Sequence, residues 1–280
     1  MAAKKSVPHL QLASTAPHLE DATLLLALTG WMDGGSVSTG TVRQFMGNRE
    51  VDEIARIDAD PFCIYNFPGS MDVAAVFRPH VRYEDGRVLE INMPQNAFFC
   101  APEAKLVFFL GQEPNLKWQA FADCIFAVCR EVGISRIIFI GSFGGSVPHT
   151  REPRLYGSVS HEHLKQVLRD NSVTASDYEG PSSFATLLLA QAPPHDLEML
   201  SFAAEIPGYL EGENPVSIEA VTRRMARILS LPVNLEKLRR TSDEWESKVT
   251  SEVEKDEKLA VTIRELEEQY DNQLIDKPED

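Results

Sequence analysis

Apolar segments that no polar residue interrupts limit what this chain can fold into. Three of them, residues 24–28, 105–110 and 136–140, have the pattern of a strand that is buried on both faces. Helical patterns follow two of these segments, at about 36–47 and 116–132. Because buried strands that alternate with helices are typical of a mostly parallel sheet, we predict an α/β fold.

Local signals place further elements along the chain. Asp85-Gly86, which is followed by the strand-like segment VLEINM, predicts a hairpin, and Gly133 is expected to end the helix before it. A late strand is predicted at 198–206 and an amphipathic helix at about 215–229. With these elements, residues 1–235 are predicted to form a single α/β domain.

The turn after the first strand has the composition of a ligand-binding corner. Its sequence is GWMDGG at 30–35, and Ser36 follows as the candidate N-cap of the next helix. A glycine turn at a helix N-terminus offers backbone N–H groups to an anion, and open α/β sheets bind ligands at this edge. Right-handed crossovers would bring the loops 30–35, 111–115 and 141–151 together there.

The segment 141–151, GSFGGSVPHTR, is the second half of this predicted site. Its glycines let the backbone approach a ligand, while His149 can titrate near neutral pH and Arg151 is a permanent cation. The alternative is structural: Gly144-Gly145 makes a tight turn, and Arg151 pairs with an acid such as Asp33. Asp33 itself is either a general base that also orients His149, or the cap of its own turn.

We therefore predict one set of site residues from these two segments. Asp33, His149 and Arg151 are the candidates for catalytic groups. The predicted ligand-binding residues are Gly30, Asp33, Gly34, Gly35, Gly144, Gly145, His149 and Arg151.

Several classes of site are not supported by the sequence. The glycine-rich loops match neither GxGxxG nor GxxxxGK[ST], and GxSxG and HExxH are absent, so we expect no cofactor. His161 and His163 would face one way on a strand, but Ser160 suggests a helix start where they diverge, so no metal site is predicted. The four cysteines lie in apolar contexts and are expected to be buried thiols.

The net charge and the hydropathy of the chain limit which binding partners and which cellular location we expect. The net charge of −15 argues against binding to nucleic acid or to an anionic membrane surface. The N-terminus lacks an apolar signal core, and no apolar run approaches membrane-spanning length, so we expect a cytoplasmic location.

The last part of the chain differs from the rest. Between residues 235 and 274 there is no Gly and no Pro, and apolar residues recur at three- and four-residue steps. Residues 236–280 carry fifteen acidic and eight basic side chains, which is about half of the net charge. Ser242 and Asp256 interrupt the apolar stripe, so we predict a long or broken helix that docks on the domain or on a neighbouring subunit. Residues 236–280 are thus predicted to be an acidic helical extension.

A series of short motifs carries a resemblance to a known family. They are LTGWMDGGSVSTG at 28–40, GQEPNLKW at 111–118, VPHTR at 147–151, EGPSSF at 179–184, IPGYL at 206–210 and LEEQYD at 266–271. In this order they resemble the bacterial branch of the proteasome assembly chaperone 2 family. The resemblance implies a three-layer αβα sandwich similar to purine nucleoside phosphorylase. It also implies self-association and, from relatives that assist proteasome assembly, a chaperone-like role.

Two functions remain open from the sequence. The favoured one is a non-enzymatic assembly chaperone or scaffold that acts as a homo-oligomer and has a protein partner. The alternative is a small-molecule-binding protein or a hydrolase- or phosphorylase-like enzyme with an anion-binding crevice between the loops 30–35 and 141–151. In that crevice Arg151 would clamp an anion and His149 would transfer a proton.

Overall fold

The computed structural model describes residues 7–275, so the ends of both predicted units, residues 1–6 and 276–280, lie outside the described residues. In chain order the strands are β1 (Leu10–Leu12), β2 (Ala22–Thr29), β3 (Asp52–Ile57), β4 (His80–Glu84), β5 (Arg87–Asn92), β6 (Asn96–Ala101), β7 (Leu106–Gln112), β8 (Ile134–Gly145), β9 (Arg154–Val159), β10 (Thr174–Ala175) and β11 (Glu198–Pro207). The helices are α1 (Val37–Gly47), α2 (Met71–Ala75), α3 (Trp118–Val132), α4 (Lys165–Asp170), α5 (Phe184–Gln191), α6 (Pro215–Ile228), α7 (Glu236–Val253) and α8 (Glu257–Ile275).

A mixed nine-stranded sheet forms the centre of the fold, in the order β1-β3-β6-β7-β2-β8-β11-β9-β10. The four central strands β7, β2, β8 and β11 are parallel to one another. On one side β6, β3 and β1 continue the sheet antiparallel, and on the other β9 pairs antiparallel with β11. The prediction of an α/β fold with a mostly parallel or mixed sheet is confirmed.

Two apolar cores lie on opposite faces of this sheet. Successive residues of β2 alternate between them, with Leu24 and Leu26 in one and Leu25 in the other. Helices α3 and α5 cover the first core, and α1, α4 and α6 cover the second. The central strands are therefore buried on both faces, which explains their uninterrupted apolar sequence and gives the three-layer sandwich that the resemblance implied.

The predicted loop 141–151 is partly strand. β8 continues to Gly145 because β11 pairs with it in parallel as far as Pro207. A side chain at Gly145 would bring its Cβ to 2.4 Å from Glu205, so this glycine makes room for that carboxylate. The alternative in which Gly144 and Gly145 form a tight turn is therefore wrong.

The C-terminal extension consists of two helices, α7 and α8, which dock on the domain of their own chain. Its predicted apolar stripe is buried or half-buried throughout: Leu235, Leu238, Trp245, Val249, Val253, Ala260, Ile263, Leu266 and Tyr270. The two polar interruptions each have a role. Ser242 Oγ donates to the carbonyl of Pro215 at the start of α6, at 2.9 Å. Asp256 Oδ1 accepts from the backbone N–H of Lys258 and of Leu259, and so begins α8.

A small insertion separates β3 and β6 in the chain, although the two strands pair with each other in the sheet. We call residues 66–93 the arm; it consists of α2 and of a separate two-stranded sheet formed by β4 and β5. The turn between these strands is the predicted Asp85-Gly86 hairpin. Every residue of β4 and β5 is exposed.

Two further expectations concern side chains and helix length. The cysteines Cys63, Cys100, Cys124 and Cys129 are buried free thiols, as predicted. Burial raises the pKa of the Cys129 thiol to about 12, so it is held in its neutral form.

No helix among residues 7–275 is both long enough and apolar enough to cross a membrane.

The end of α3 provides a test of this packing. Gly133 has a φ of +82°, and a Cβ there would lie 1.8 Å from the backbone oxygen of Leu19. We expect Gly133→Ala to lower the free energy of unfolding by about 2 kcal/mol or more, because the backbone strain of a positive φ adds to the steric overlap with Leu19. Gly47→Ala is the matched control, since no atom lies within 4 Å of its Cβ position.

In urea denaturation followed by circular dichroism, Gly47→Ala should stay within about 1 kcal/mol of the wild type. Equal stability of the two alanine variants would contradict this account of the α3 terminus.

Candidate functional site

The carboxyl ends of the parallel strands bring the two predicted site segments into contact. Ser142 is fully buried, and its backbone N–H donates to the carbonyl of Met32 at 2.8 Å. Its hydroxyl donates to the carbonyl of Gly34 at 2.7 Å. The loop 30–35 is thus bonded directly to the end of β8, as expected for neighbouring parallel strands.

Asp33 lies at the N-terminus of α1 and caps it. Its Oδ1 accepts from Thr39 N at 3.0 Å and its Oδ2 accepts from Thr39 Oγ1 at 2.9 Å. Burial raises the pKa of Asp33, although the hydrogen bonds from Thr39 oppose this shift. Ser36, the predicted cap, makes no such bond and has a left-handed backbone with φ of 54°. The Asp33 carboxylate therefore already occupies the place at the N-terminus of α1 where an external anion would bind.

The glycines of this corner permit close packing. Gly35 has a φ of +61°, and a Cβ there would lie 2.9 Å from side-chain atoms of both Ile206 and Asn214. Its carbonyl accepts from the backbone N–H of Asn214, just before α6. Gly30 also has a positive φ, of 118°. Gly35 therefore packs the corner against β11 and the start of α6, whereas Gly30 faces Glu113.

His149 lies beneath the C-terminal extension. It is 2% exposed, and its Nδ1 is 2.7 Å from the hydroxyl of Tyr209, which also accepts from the backbone N–H of His149. Its Nε2 is 3.1 Å from Thr250 Oγ1 in α7. The Tyr209 hydroxyl can accept from the backbone N–H of His149 and donate its proton to Nδ1 at the same time, so we assign the imidazole proton to Nε2.

Electrostatics favour this neutral form of His149. Burial lowers the pKa of the imidazole, and the nearby Glu267 carboxylate opposes the shift only in part. Burial likewise raises the pKa of the Tyr209 hydroxyl to about 12. The pair is therefore an uncharged hydrogen-bonded contact between the end of the sheet and α7.

Arg151 binds the second helix of the extension. Its Nε and Nη2 donate to the two carboxylate oxygens of Asp271 at 2.9 and 2.8 Å, and its Nη1 lies 3.6 Å from Glu267. The adjacent Thr150 hydroxyl also donates to Glu267. Neither His149 nor Arg151 has a hydrogen bond to Asp33 among the described residues, so Asp33 as the acid that pairs with Arg151 is wrong.

Glu205 is a residue of this edge that the sequence analysis missed. It is 6% exposed and accepts from Ser146 N at 2.8 Å, with Tyr156 Oη at 3.2 Å and Arg154 Nη1 at 3.4 Å. The Arg154 guanidinium in turn lies 4.4 Å over the ring of Tyr270 in α8. The available signal was the single charged residue in the segment 199–206, whose other residues are apolar except Ser201.

A cavity of about 390 Å³ lies between the loop after β8, α6 and α7. His149 and Arg151 are on its wall, and Asp33 and the predicted glycines are not. Two further arginines on the wall are paired, Arg223 with Glu152 and Glu219, and Arg239 with Glu219. The predicted site residues thus do not form one site. His149 and Arg151 line the cavity beside the extension, whereas Asp33 lies in the corner that α1 closes.

Comparisons with known proteins agree with this fold. The model of the PAC2 family matches residues 27–253, which includes α7 and leaves α8 outside the match. A search of curated proteins found no match.

Three solved structures illustrate the similarity. A Mycobacterium tuberculosis protein of unknown function is 21% identical with a TM-score of 0.84, over 97% of this chain and 94% of that one. A proteasome-assembly chaperone homologue from the same organism is 25% identical with a TM-score of 0.73, over 86% and 99%. An archaeal proteasome activator from Pyrococcus furiosus is 18% identical with a TM-score of 0.63, over 86% and 97%.

The buried His149 predicts a specific pH dependence. Because its pKa is lowered on folding, the unfolded chain takes up a proton below pH 6.5 that the folded chain resists. His149 should therefore contribute to the loss of stability as the pH falls from 6.5 towards the lowered value, by at most about 1.4 kcal/mol per pH unit. We expect His149→Gln to show a smaller loss between pH 7.5 and 5.5 than the wild type in urea denaturation.

His80→Gln, at an exposed histidine of the arm, serves as the control and should keep the wild-type loss. An unchanged pH dependence in His149→Gln would contradict the assignment of a neutral, buried imidazole.

Proposed function

This chain belongs to the PAC2 family, and we propose that it is a non-enzymatic assembly chaperone or scaffold that acts as a homo-oligomer and binds a protein partner. Two similar structures support a protein partner, since one is a proteasome-assembly chaperone homologue and the other an archaeal proteasome activator. The structure adds an argument of its own.

The observation that carries the proposal is that the polar groups at the strand ends are bonded to the chain itself. Asp33 caps α1, His149 bonds to Tyr209 and Thr250, and Arg151 holds Asp271. A catalytic base or an anion clamp must be within hydrogen-bond reach of its substrate. Here these positions are occupied by helices of the same chain, which favours a structural role for the edge.

We propose that residues 236–280 form a brace on the α/β domain of residues 1–235. Leu235 and Leu238 belong to the apolar core that α1 and α6 cover, so α7 begins in contact with the domain. The contacts of Thr250, Glu267 and Asp271 then hold the rest of the brace over the strand ends. Its apolar stripe is used within the chain, which leaves an outer surface that is mostly charged, with Val261, Leu274 and Ile275 as exposed apolar residues of α8.

A small-molecule-binding function is the second candidate, and the cavity beside α7 favours it. Its volume of about 390 Å³ is within the range of small-molecule sites, and His149 and Arg151 are on its wall. An anion could bind there by exchanging with Asp271 for Arg151. In that case the brace would respond to the ligand.

Partner binding is tested first by reconstitution. The tagged full chain is purified from its native host, and each captured protein is then produced separately and mixed with the purified chain. We expect a complex of defined mass in size-exclusion chromatography with light scattering, and a higher yield of assembled partner when the chain is present. If no captured protein re-forms a complex from purified components, the chaperone proposal is contradicted.

A thermal-shift screen of anionic metabolites separates the two candidates. A ligand at a hundred times its Kd stabilises the folded state by about 2.7 kcal/mol, which shifts Tm by several degrees. The chaperone proposal predicts no such shift. A metabolite that stabilises the wild type and the control Lys255→Ala, but not Arg151→Ala, would establish the second candidate, since Lys255 pairs with Glu252 in the brace and is not on the cavity wall.

A further inference from the structure

A group of exposed apolar side chains lies at the strand ends, apart from the arm. Outside the arm, seven large apolar side chains among the described residues are exposed, and four of them lie at this edge: Trp31, Leu116, Phe143 and Tyr178. We call these four the aromatic edge. Trp31 is 62% exposed and Tyr178 is 67% exposed. Scattered exposed apolar residues need no explanation, whereas large side chains collected at one edge of a sheet indicate an interaction surface.

Contacts between the strand ends hold three of these side chains next to one another. Trp31 follows β2, and its backbone N–H donates to the carboxylate of Glu113, just after β7, at 3.3 Å. Leu116 lies three residues further along that loop. Phe143 lies near the end of β8, and the residue before it is bonded to the loop 30–35. Because β7, β2 and β8 are neighbours in the sheet, their exposed side chains share one surface.

Tyr178 joins this surface from the side of β9 and β10. The Phe143 ring packs near the ring of Tyr156 in β9, with the centroids 5.9 Å apart. Burial raises the pKa of the Tyr156 hydroxyl, and the carboxylates of Glu205 and Asp177 add to this shift, so Asp177 lies near that ring. Tyr178 is the next residue in the chain, in the exposed loop between β10 and α5.

The loops around the aromatic edge are acidic. Asp177 and Glu179 lie in the loop after β10, and Glu211 and Glu213 lie in the loop after β11, the neighbour of β8. All four carboxylates are exposed, and none of them forms a salt bridge with another residue in the part of the chain that the structure describes. Lys117 is the single basic residue of the loops after β2, β7, β10 and β11. Exposed rings beside such carboxylates attract a cation both through the ring face and through the negative charge.

The dimensions of the aromatic edge fit a short extended segment. With about 200 Å² for a fully exposed large side chain, its four residues expose on the order of 400 Å². This is about half of the roughly 800 Å² that one partner buries in a standard protein interface. From β7 to β10 the sheet has five strand spacings of about 4.8 Å, or roughly 24 Å, which an extended chain spans with about seven residues.

Charge indicates which partner fits this surface. Each copy of the chain carries a net charge of −15, so two copies repel where both present carboxylates. A segment with arginine or lysine side chains has the complementary charge, and its cations can also stack on aromatic rings.

We propose that the aromatic edge is the docking surface for the protein partner, and that it binds a short extended segment rich in arginine or lysine. Cations of this segment stack on Trp31, Phe143 and Tyr178 and pair with the carboxylates of the loops after β10 and β11. The inference rests on the protein partner in the proposed function, and names the surface and the chemistry that it recognises.

A capped heptapeptide of alternating arginine and glycine, with arginine at both ends, is the probe. Its binding to the full chain is measured by isothermal titration calorimetry at physiological ionic strength, beside a peptide with glutamate in place of arginine. We expect a Kd below about 1 mM for the arginine peptide and no binding of the glutamate peptide.

A pair of double variants tests the rings. Trp31→Ala with Tyr178→Ala removes two exposed aromatic side chains of the edge, and Phe67→Ala with Tyr83→Ala removes two exposed aromatic side chains of the arm. We expect the edge variant to bind the arginine peptide at least about fivefold more weakly than the wild type, and the arm variant to bind within about twofold of it. Circular dichroism and Tm check that both variants keep the fold.

A second pair separates this surface from the general attraction of an acidic protein. Asp177→Asn with Glu179→Gln and Glu265→Gln with Glu268→Gln each remove two exposed carboxylates, so both variants have the same net charge. The first lies beside the aromatic edge and the second in α8. We expect the first to weaken peptide binding several-fold and the second to leave it near the wild-type value.

Three results would overturn the assignment: a wild type that does not bind the arginine peptide, an edge variant that binds as tightly as its control, or a Trp31→Ala Tyr178→Ala variant whose mass in light scattering falls below that of the wild type. The last result would assign the edge to a second copy of the chain. A reconstituted partner that binds the wild type and this variant equally would also overturn it, while the chaperone proposal would stand. Failure to reconstitute any partner contradicts the chaperone proposal, whereas the peptide measurements test the surface independently of it.

Discussion

The structure depends on the burial of four parallel strands on both of their faces. Residues of β2 such as Leu24 and Leu25 have no exposed surface and point into opposite cores, so neither helical layer can be removed without uncovering the sheet. Because these strands run in the same direction, their carboxyl ends meet at one edge, where the backbone must turn and polar groups collect. The positions of Asp33, His149, Arg151 and Glu205 follow from this arrangement.

What distinguishes this edge from an ordinary ligand site is how its polar groups are satisfied. Asp33, His149, Arg151 and Glu205 lie at or just beyond strand ends, and each is bonded to groups of the same chain. The hydrogen bonds of His149 and Arg151 span more than a hundred residues and tie α7 and α8 to the end of β8. An edge closed in this way is suited to fixing the orientation of two helices. The cavity beside them is where a ligand would have to compete with those contacts.

The sequence predicted those features that depend on local pattern. The uninterrupted apolar strands, the helix end at Gly133, the Asp85-Gly86 hairpin and the apolar stripe of the extension all appear in the structure, because periodicity and turn chemistry act over a few residues. It could not predict the partner of Arg151, since Asp271 is 120 residues away and many acids were available. It also placed Gly145 in a loop, because only the packing of Glu205 shows why a strand needs a glycine there. The hairpin was predicted, but its exposure on both faces was not, since an alternating pattern indicates a buried face without naming what covers it.

The central claim is that the residues at the strand ends hold the helical extension in place. Amide hydrogen exchange of the full chain measures this most directly, by comparing the wild type with Arg151→Ala and with Arg264→Ala, which removes an exposed cation of α8 itself. The account predicts that α8 exchanges several-fold faster in Arg151→Ala, with β2 and β8 unchanged, and that Arg264→Ala behaves as the wild type. Equal protection of α8 in the wild type and in Arg151→Ala would contradict it.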